Sequence, residues 1–516
     1  MEAAELLVPP PEEAPNEPAT ALTVAELQAG ITEAVNALVV WVMSCQTSTC
    51  FAFETQLVPR VLAVGRLCLQ LFLQMREAQW RAQAVETPRG HKRQGPMVRR
   101  LGTFFGKVSY ARTYFYRTGG GYYPLDIELG LTGDGFSWLL TSCAVRLASK
   151  VSYAQAVLLL TLFLRWSPAQ TSIEELVLGL GRHTAAWFEH APAPSGDGEV
   201  LVIQIDSKAT PTATAAELAR RSGRRTPNLH PGSARHRGRA ARLRWGSKKR
   251  RQKGDKAKNG KMATIVVLYT LRKSADGTLE GPLNKRVYAS YAPKRHAVAI
   301  ARRAADKRGF TPASGKAIQL VTDGDNDLER YIDELFPEAE HTIDIFHVVE
   351  YLWEAGACLY REGSAELTAW VDEQKVLLYD GRVAEVITEL AKRLKQLAPQ
   401  QSSARDRLSA IQEYLTKRQA KMDYKRLREL DWESGSGAVE GAVRYVIAQR
   451  FDCGGMRWVK ERAEALLQLR CIEVNNDWEA FITFVHDRTQ AQAQEQHKNL
   501  PIKCAEPAPL PTYGLT

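Results

Sequence analysis

The sequence predicts an α/β core, a mixed five-stranded sheet with helices, that carries an all-α insertion and follows a mainly α-helical region with one β-hairpin. Three observations lead there. Short apolar runs of strand character fall at 200–205, 263–270, 286–292, 317–322 and 342–346, with a helical pattern at about 295–308 between the third and fourth. Helical periodicity is continuous from about 350 to 430. Before 195 the apolar period is helical, changes to two, and becomes helical again.

The bulk properties admit this organisation. A chain of 516 residues, 45% hydrophobic and 25% charged, has material for two to four domains. A net charge of +11 favours a polyanionic partner, nucleic acid ahead of a membrane surface. The eight cysteines form no CxxC pair and no zinc-spaced cluster, so they read as reduced thiols of a cytoplasmic protein. The acidic, Pro-rich start lacks the order of a signal peptide. The longest uncharged run, 34–53, is broken by Gln46-Thr47-Ser48-Thr49 and reads as paired core helices rather than a membrane span.

Taken in order, residues 1–20 are expected to be a disordered tail, because they offer too little apolar surface to offset ordering entropy. Residues 21–190 form the N-terminal region: two or three helices over 21–86, a hairpin over 98–131 with Gly119-Gly120-Gly121 as its turn, and helices over 136–190. Arg99, Arg100, Lys107, Arg112 and Arg117 around the hairpin are candidate DNA contacts. A linker at 191–197 leads to the first part of the core, 198–349, with a basic insertion at 210–261. The helical insertion follows at 350–430, then the last part of the core at 431–485 and a C-terminal tail at 486–516. Three strands, a helix, a strand, a helix and a strand is the order of an RNase H-like sheet.

Two aspartates stand where such a sheet exposes chemistry. Asp206 ends the run Leu201-Val202-Ile203-Gln204-Ile205, and Asp323 ends Ile318-Gln319-Leu320-Val321-Thr322. If the strands are neighbours, both carboxylates share one rim. A third acid, Glu440, lies at the start of a helix announced by Ser434-Gly435-Ser436-Gly437. Three carboxylates from distant segments supply the hard oxygen ligands that two Mg²⁺ (or Mn²⁺) ions need in phosphoryl transfer. Either aspartate alone also reads as a turn residue, Asp323-Gly324 above all. Order alone leaves Asp325 or Asp327 in place of Asp323, and Glu433 or Glu350 in place of Glu440.

The segments VTDGDNDL (321–328), DIFHVVEYLW (344–353), GSGAVE (435–440) and GGMRW (454–458), with GGGYYPLDIELGL (119–131), resemble bacterial insertion-sequence transposases of the ISKra type. Those are DDE transposases with a helical insertion before the last acid, and the likeness spans roughly residues 95 to 485. The resemblance implies an RNase H-like catalytic core that cleaves transposon ends and joins them to target DNA. It assigns the metal-binding catalytic triad to Asp206, Asp323 and Glu440, and marks Asp344 and His347 as residues near the site. Asp344, His347 and Glu350 are spaced by three, along one helix face. The implied partners are double-stranded DNA, as terminal inverted repeats and target, and a second copy, since two ends must be held together. The location implied is a bacterial cytoplasm, at the nucleoid. Two rivals stand beside this reading: a nuclease of the same fold without strand transfer, and a catalytically silent DNA-binding derivative.

Residues 220–261 hold 17 Lys or Arg against one acid, Asp255, so basicity is concentrated here rather than spread. Arg235, Arg237, Arg239, Arg242, Arg244, Lys248, Lys249, Arg250 and Arg251 are the candidate DNA-binding residues. The Gly- and Ser-containing, apolar-poor composition suits a flexible arm that orders on a phosphate backbone, adding affinity without sequence specificity. Trp353, Trp370 and Trp432, in or beside the helical insertion, are expected to pack in its core rather than stack on a base.

Overall fold

The computed structural model describes residues 21–47, 49–83, 86–131, 135–214, 216, 260–453 and 456–500. The chain forms two compact units, Met1–Trp187 with Asp477–Thr516, and Phe188–Asn476. The tail 1–20 and all nine candidate DNA-binding residues from Arg235 to Arg251 lie outside the described residues.

In the first unit, α1 (Val24–Ser44) starts at a capping box in which Thr23 and Glu26 satisfy each other's backbone N–H groups. It pairs with α2 (Cys50–Ala82). The second half of α2 lies on a three-stranded antiparallel sheet of β1 (Lys92–Thr103), β2 (Gly106–Arg117) and β3 (Gly120–Tyr122). Gln70 donates to the Ser109 carbonyl at 2.7 Å, Gln74 accepts the Ala111 N–H at 3.1 Å, and buried Glu77 accepts the Thr113 hydroxyl at 2.7 Å. The main hairpin turns at Phe104-Phe105, not at the glycines. Gly119 and Gly120 instead take positive φ and fold β3 back onto β2.

Two of the hairpin arginines are not available to DNA. Buried Asp126 accepts the Tyr110 hydroxyl at 2.7 Å and pairs with Arg99 at 3.0 Å and with Arg112. Short helices follow: α3 (Pro124–Glu128), α4 (Trp138–Lys150), α5 (Tyr153–Leu164), α6 (Gln170–Gly181) and α7 (Thr184–His190). The expected tail from 486 is corrected, because a helix covers Trp478–Gln496 and packs in this unit. Trp478 donates to the Ser142 hydroxyl at 2.9 Å, Gln490 to the Glu128 carbonyl at 2.9 Å, and Phe481 meets Trp187.

The second unit is built on β4 (Val200–Pro211), β5 (Gly260–Lys273), β6 (Leu279–Ser290), β7 (Ala317–Thr322) and β8 (Glu340–Ile343). Their spatial order is β6-β5-β4-β7-β8; β4, β5 and β6 are antiparallel neighbours, while β4, β7 and β8 run parallel. This mixed sheet with helices is compatible with an RNase H-like core. One face takes the odd-numbered residues Leu201, Ile203 and Ile205 into a core with α8 (Lys294–Lys307) and α9 (Asn326–Leu335). The 342–346 segment is not all strand. Asp344 accepts the Phe346 N–H and begins α10 (Ile345–Leu359).

The helical insertion continues through α11 (Ala365–Tyr379), α12 (Val383–Gln396), α13 (Ser402–Arg418) and α14 (Tyr424–Glu429), around a core of its own. Trp370 is buried in that core and Trp432 packs against it, but Trp353 is 37% exposed beside Lys375. The other face of the sheet receives α15 (Gly437–Ala442), a π-helical segment Val443–Ala448, and α16 (Lys460–Val474).

Candidate active site

The site starts from strand register. Ile205 on β4 pairs with Thr322 on β7, so Asp206 and Asp323 are the next residues on two parallel strands that run about 4.8 Å apart. Alternation places Asp206 on the same sheet face as Val202 and Gln204, opposite the α8–α9 core. Its Oδ1 accepts the Ser207 N–H at 2.6 Å. Asp323 directly follows its strand and accepts the Asp325 N–H at 3.0 Å, so it is a turn residue as well as a rim residue. Gly324 follows at φ +76, and a Cβ there would stand 2.6 Å from the Tyr414 hydroxyl, which donates to the Asp323 carbonyl at 2.7 Å. Only glycine meets both demands.

Two buried glutamines carry the third acid to this face. Gln204, 1% exposed, accepts the Val439 N–H at 2.9 Å and donates to the Gly435 carbonyl and the Tyr269 hydroxyl, each at 3.1 Å. Gln319, fully buried on β7, accepts the Glu433 N–H at 3.1 Å and donates to the Glu433 carbonyl at 2.6 Å. Segment 433–439 is thereby fixed across β4 and β7, and α15 begins there. Glu440 is exposed on α15, where its Oε1 lies 3.0 Å from the Ser436 hydroxyl.

Asp344 joins the parts. It is fully buried, its N–H donates to the Thr322 carbonyl at 2.8 Å, and its carboxylate accepts the Ser436 hydroxyl at 2.5 Å and the Ser436 N–H at 3.2 Å. The same carboxylate takes His347 Nδ1 at 2.8 Å. Burial raises the Asp344 pKa, but the hydrogen bonds from His347, Ser436 and Phe346 outweigh it and hold it below the usual range. The hydrogen bond to Asp344 raises His347 to about 9, helped by the charges of Asp344, Asp323 and Glu350, so an imidazolium faces the acids at neutral pH. Asp206 is raised, first by desolvation and then by the negative charges of Asp323 and Glu440, with Ser207 N–H and His347 opposing.

The donor set fits hard divalent cations in its chemistry. The charges of Asp323 and Glu440 bear on Asp206, and that repulsion is what a cation relieves. Among the described residues, however, no three His, Cys, Asp or Glu side chains are gathered as a metal-holding group, so joint ligation requires side-chain rotation. Other acids have other duties. Asp325 caps α9 and pairs with Lys294 at 2.6 Å, Asp327 pairs with Arg330 on the surface, and Glu433 accepts the Tyr269 hydroxyl at 2.9 Å.

The base of the basic insertion is also defined. β4 continues past Asp206 to Pro211, which pairs with Gly260 on β5, so the insertion leaves the sheet roughly 17 Å beyond Asp206 along the strand rather than beside it. Trp458 ties down this end. Its N–H donates to the Pro211 carbonyl at 3.2 Å and its carbonyl accepts the Ala213 N–H at 2.9 Å.

Sequence reasoning missed Gln204, Gln319 and Ser436. The first two left a signal: a glutamine interrupts each of the apolar strands that end in the two aspartates, and a glutamine inside such a strand must find buried partners.

No family model matches the chain, and no curated protein matches it. Among solved structures, the chain is similar to one described as the Drosophila P element transposase strand transfer complex, with 11% identity over 72% of this chain and 88% of that chain, at a TM-score of 0.20. A TM-score of that size establishes neither a shared fold nor a shared activity.

Proposed function

We propose that the protein is a DNA transposase of RNase H-like architecture whose acids Asp206, Asp323 and Glu440 serve cleavage of transposon ends and their joining to target DNA. The observation that carries the reading is the register of β4 and β7, which sets Asp206 and Asp323 side by side, together with the Gln204 clamp that brings the helix of Glu440 to the same face. The strand order, with three antiparallel strands and then two on one side that run parallel to the central β4, supports the fold assignment. The ISKra-type assignment rests on the sequence motifs.

The three acids would hold Mg²⁺ or Mn²⁺, which when bound supplies activation of an attacking oxygen and stabilisation of a leaving one. The chain's own residues do the rest. Gln204, Gln319 and Asp344 fix the segment that carries Glu440. His347, held protonated by Asp344, offers a positive charge to a phosphate oxygen beside Asp206 and Asp323. The basic insertion supplies counter-charge for the DNA backbone.

Incubating the full chain with Mg²⁺ and DNA carrying the repeats that flank its gene tests the reading. Strand breaks at the repeat ends and joined products are expected. Breaks without joining would make the protein a nuclease, and binding without breaks would make it a silent DNA-binding derivative.

A further inference from the structure

Among the described residues, the outer faces of α1 and α2 are apolar and uncovered. On α1, Val35, Val39 and Val42 recur at helical spacing, exposed by 40%, 51% and 45%, and Val40 and Met43 beside them by 64% and 84%. On α2, Phe51, Val58, Val61 and Phe72 recur on one face, exposed by 66%, 40%, 50% and 49%, with exposed Cys68 among them. These are not the residues that hold the two helices together. That contact is made inside, where Trp41 stacks on Phe53 at 5.0 Å and Arg60 lies 4.1 Å over the Trp41 ring.

At roughly 100 Å² per exposed side chain, the nine present on the order of 900 Å², well above an ordinary surface patch and close to the ~800 Å² that each partner buries in a stable association. The patch therefore needs an occupant wherever the chain is present.

A membrane fits it poorly, although both helices are long and apolar enough to cross one. The only charges on α1 are Glu26 and Glu33, so it lacks the cations that draw an interfacial helix to anionic lipid. Within α2, Glu54, Arg60 and Arg66 are spread along the first half, and the second half is hydrogen-bonded to β2. A second copy fits better. Two identical Val- and Phe-rich faces related by a twofold axis bury like against like, and α2 repeats its apolar residues at the three- and seven-residue spacing that packs helices nearly parallel.

We propose that the outer face of the α1–α2 pair is the interface between two copies of this chain. The inference does not depend on the reading of the three acids, since association is measured without DNA or metal. Sedimentation equilibrium of the full chain tests it. The wild type is expected to be a dimer at roughly 10 μM, a concentration at which an interface of standard size is ordinarily occupied. Met43→Glu, at the most exposed position, should weaken association about tenfold, and Val40→Glu/Met43→Glu/Phe51→Glu at least about a hundredfold, with unchanged helix content. Val376→Glu, on α11 of the second unit and exposed by 58%, should leave association intact. A monomeric wild type, or a dimer indifferent to Met43→Glu and the triple variant, overturns the proposal. So does flotation of the wild type, lost in the triple variant, with vesicles of phosphatidylethanolamine and phosphatidylglycerol.

Discussion

The side-chain oxygen of Gln204 accepts the backbone N–H of Val439 at 2.9 Å, so the residue two before Asp206 holds the residue before Glu440. Gln204→Leu keeps the volume but leaves the buried Val439 N–H and the half-buried Gly435 carbonyl without this partner. A loss of about 3 kcal/mol in denaturant unfolding is expected, at the usual cost of roughly 1–3 kcal/mol per unsatisfied buried group. Cleavage should fall further than stability explains, because the third acid loses its seat. A Leu variant as stable and as active as the wild type would show the clamp to be dispensable.

Asp206 is desolvated and repelled by Asp323 and Glu440, which raises its pKa. A raised carboxylate pKa means that the ionised form weakens the fold at neutral pH. Asp206→Asn should therefore raise the melting temperature in EDTA. Adding Mg²⁺ should stabilise the wild type more than the variant, because only the wild type keeps its full ligand set. Equal shifts with and without Mg²⁺ would argue against cation binding at this rim.

His347 and Asp344 set a pH window. The raised His347 pKa contributes stability that is fully present below the ordinary histidine value of ~6.5 and is lost as pH rises through about 9. The depressed Asp344 pKa contributes stability present above the ordinary aspartate value and lost as pH falls through its lower folded one. Titration of His347 by NMR should give a pKa near 9 in the wild type and a value close to 6.5 in Asp344→Asn. An unshifted His347 in the wild type would remove the pair from the site.

The basic insertion is bounded by paired strand ends, Pro211 and Gly260. Replacing 215–257 by a short Gly-Ser turn should leave the unfolding midpoint within about 1 °C, because the β4–β5 ladder closes without it. DNA affinity at 0.1 M salt should drop at least about a hundredfold, with a shallower dependence on salt, as phosphate contacts are lost. An unchanged salt slope would place DNA binding elsewhere in the chain.

Much of the core was legible because its strands are short apolar runs. The fourth, 317–322, has the bounds expected of it, and register then sets Asp323, the residue after it, beside Asp206. What was not legible depends on partners distant in sequence. Asp344 follows an apolar run like a strand residue, yet it caps a helix, because its carboxylate meets Phe346, His347 and Ser436. Residues 486–496 look polar enough for a tail, but they extend a helix anchored by Trp478 and Phe481. Arg99 and Arg112 read as surface cations until Asp126 closes on both. The choice of Glu440 rests mainly on its motif, and the glutamines that hold its segment lie on strands more than a hundred residues earlier.

The most direct measurement is Mg²⁺-dependent cleavage and joining of repeat-flanked DNA by the wild type, Asp206→Asn, Asp323→Asn and Glu440→Gln, with end binding measured in parallel. All three variants should lose cleavage by at least about a thousandfold, the scale of removing a group that acts on the transition state, and still bind the ends. Wild-type cleavage rates in any one of them would contradict its place in the site, and in all three would contradict the site itself.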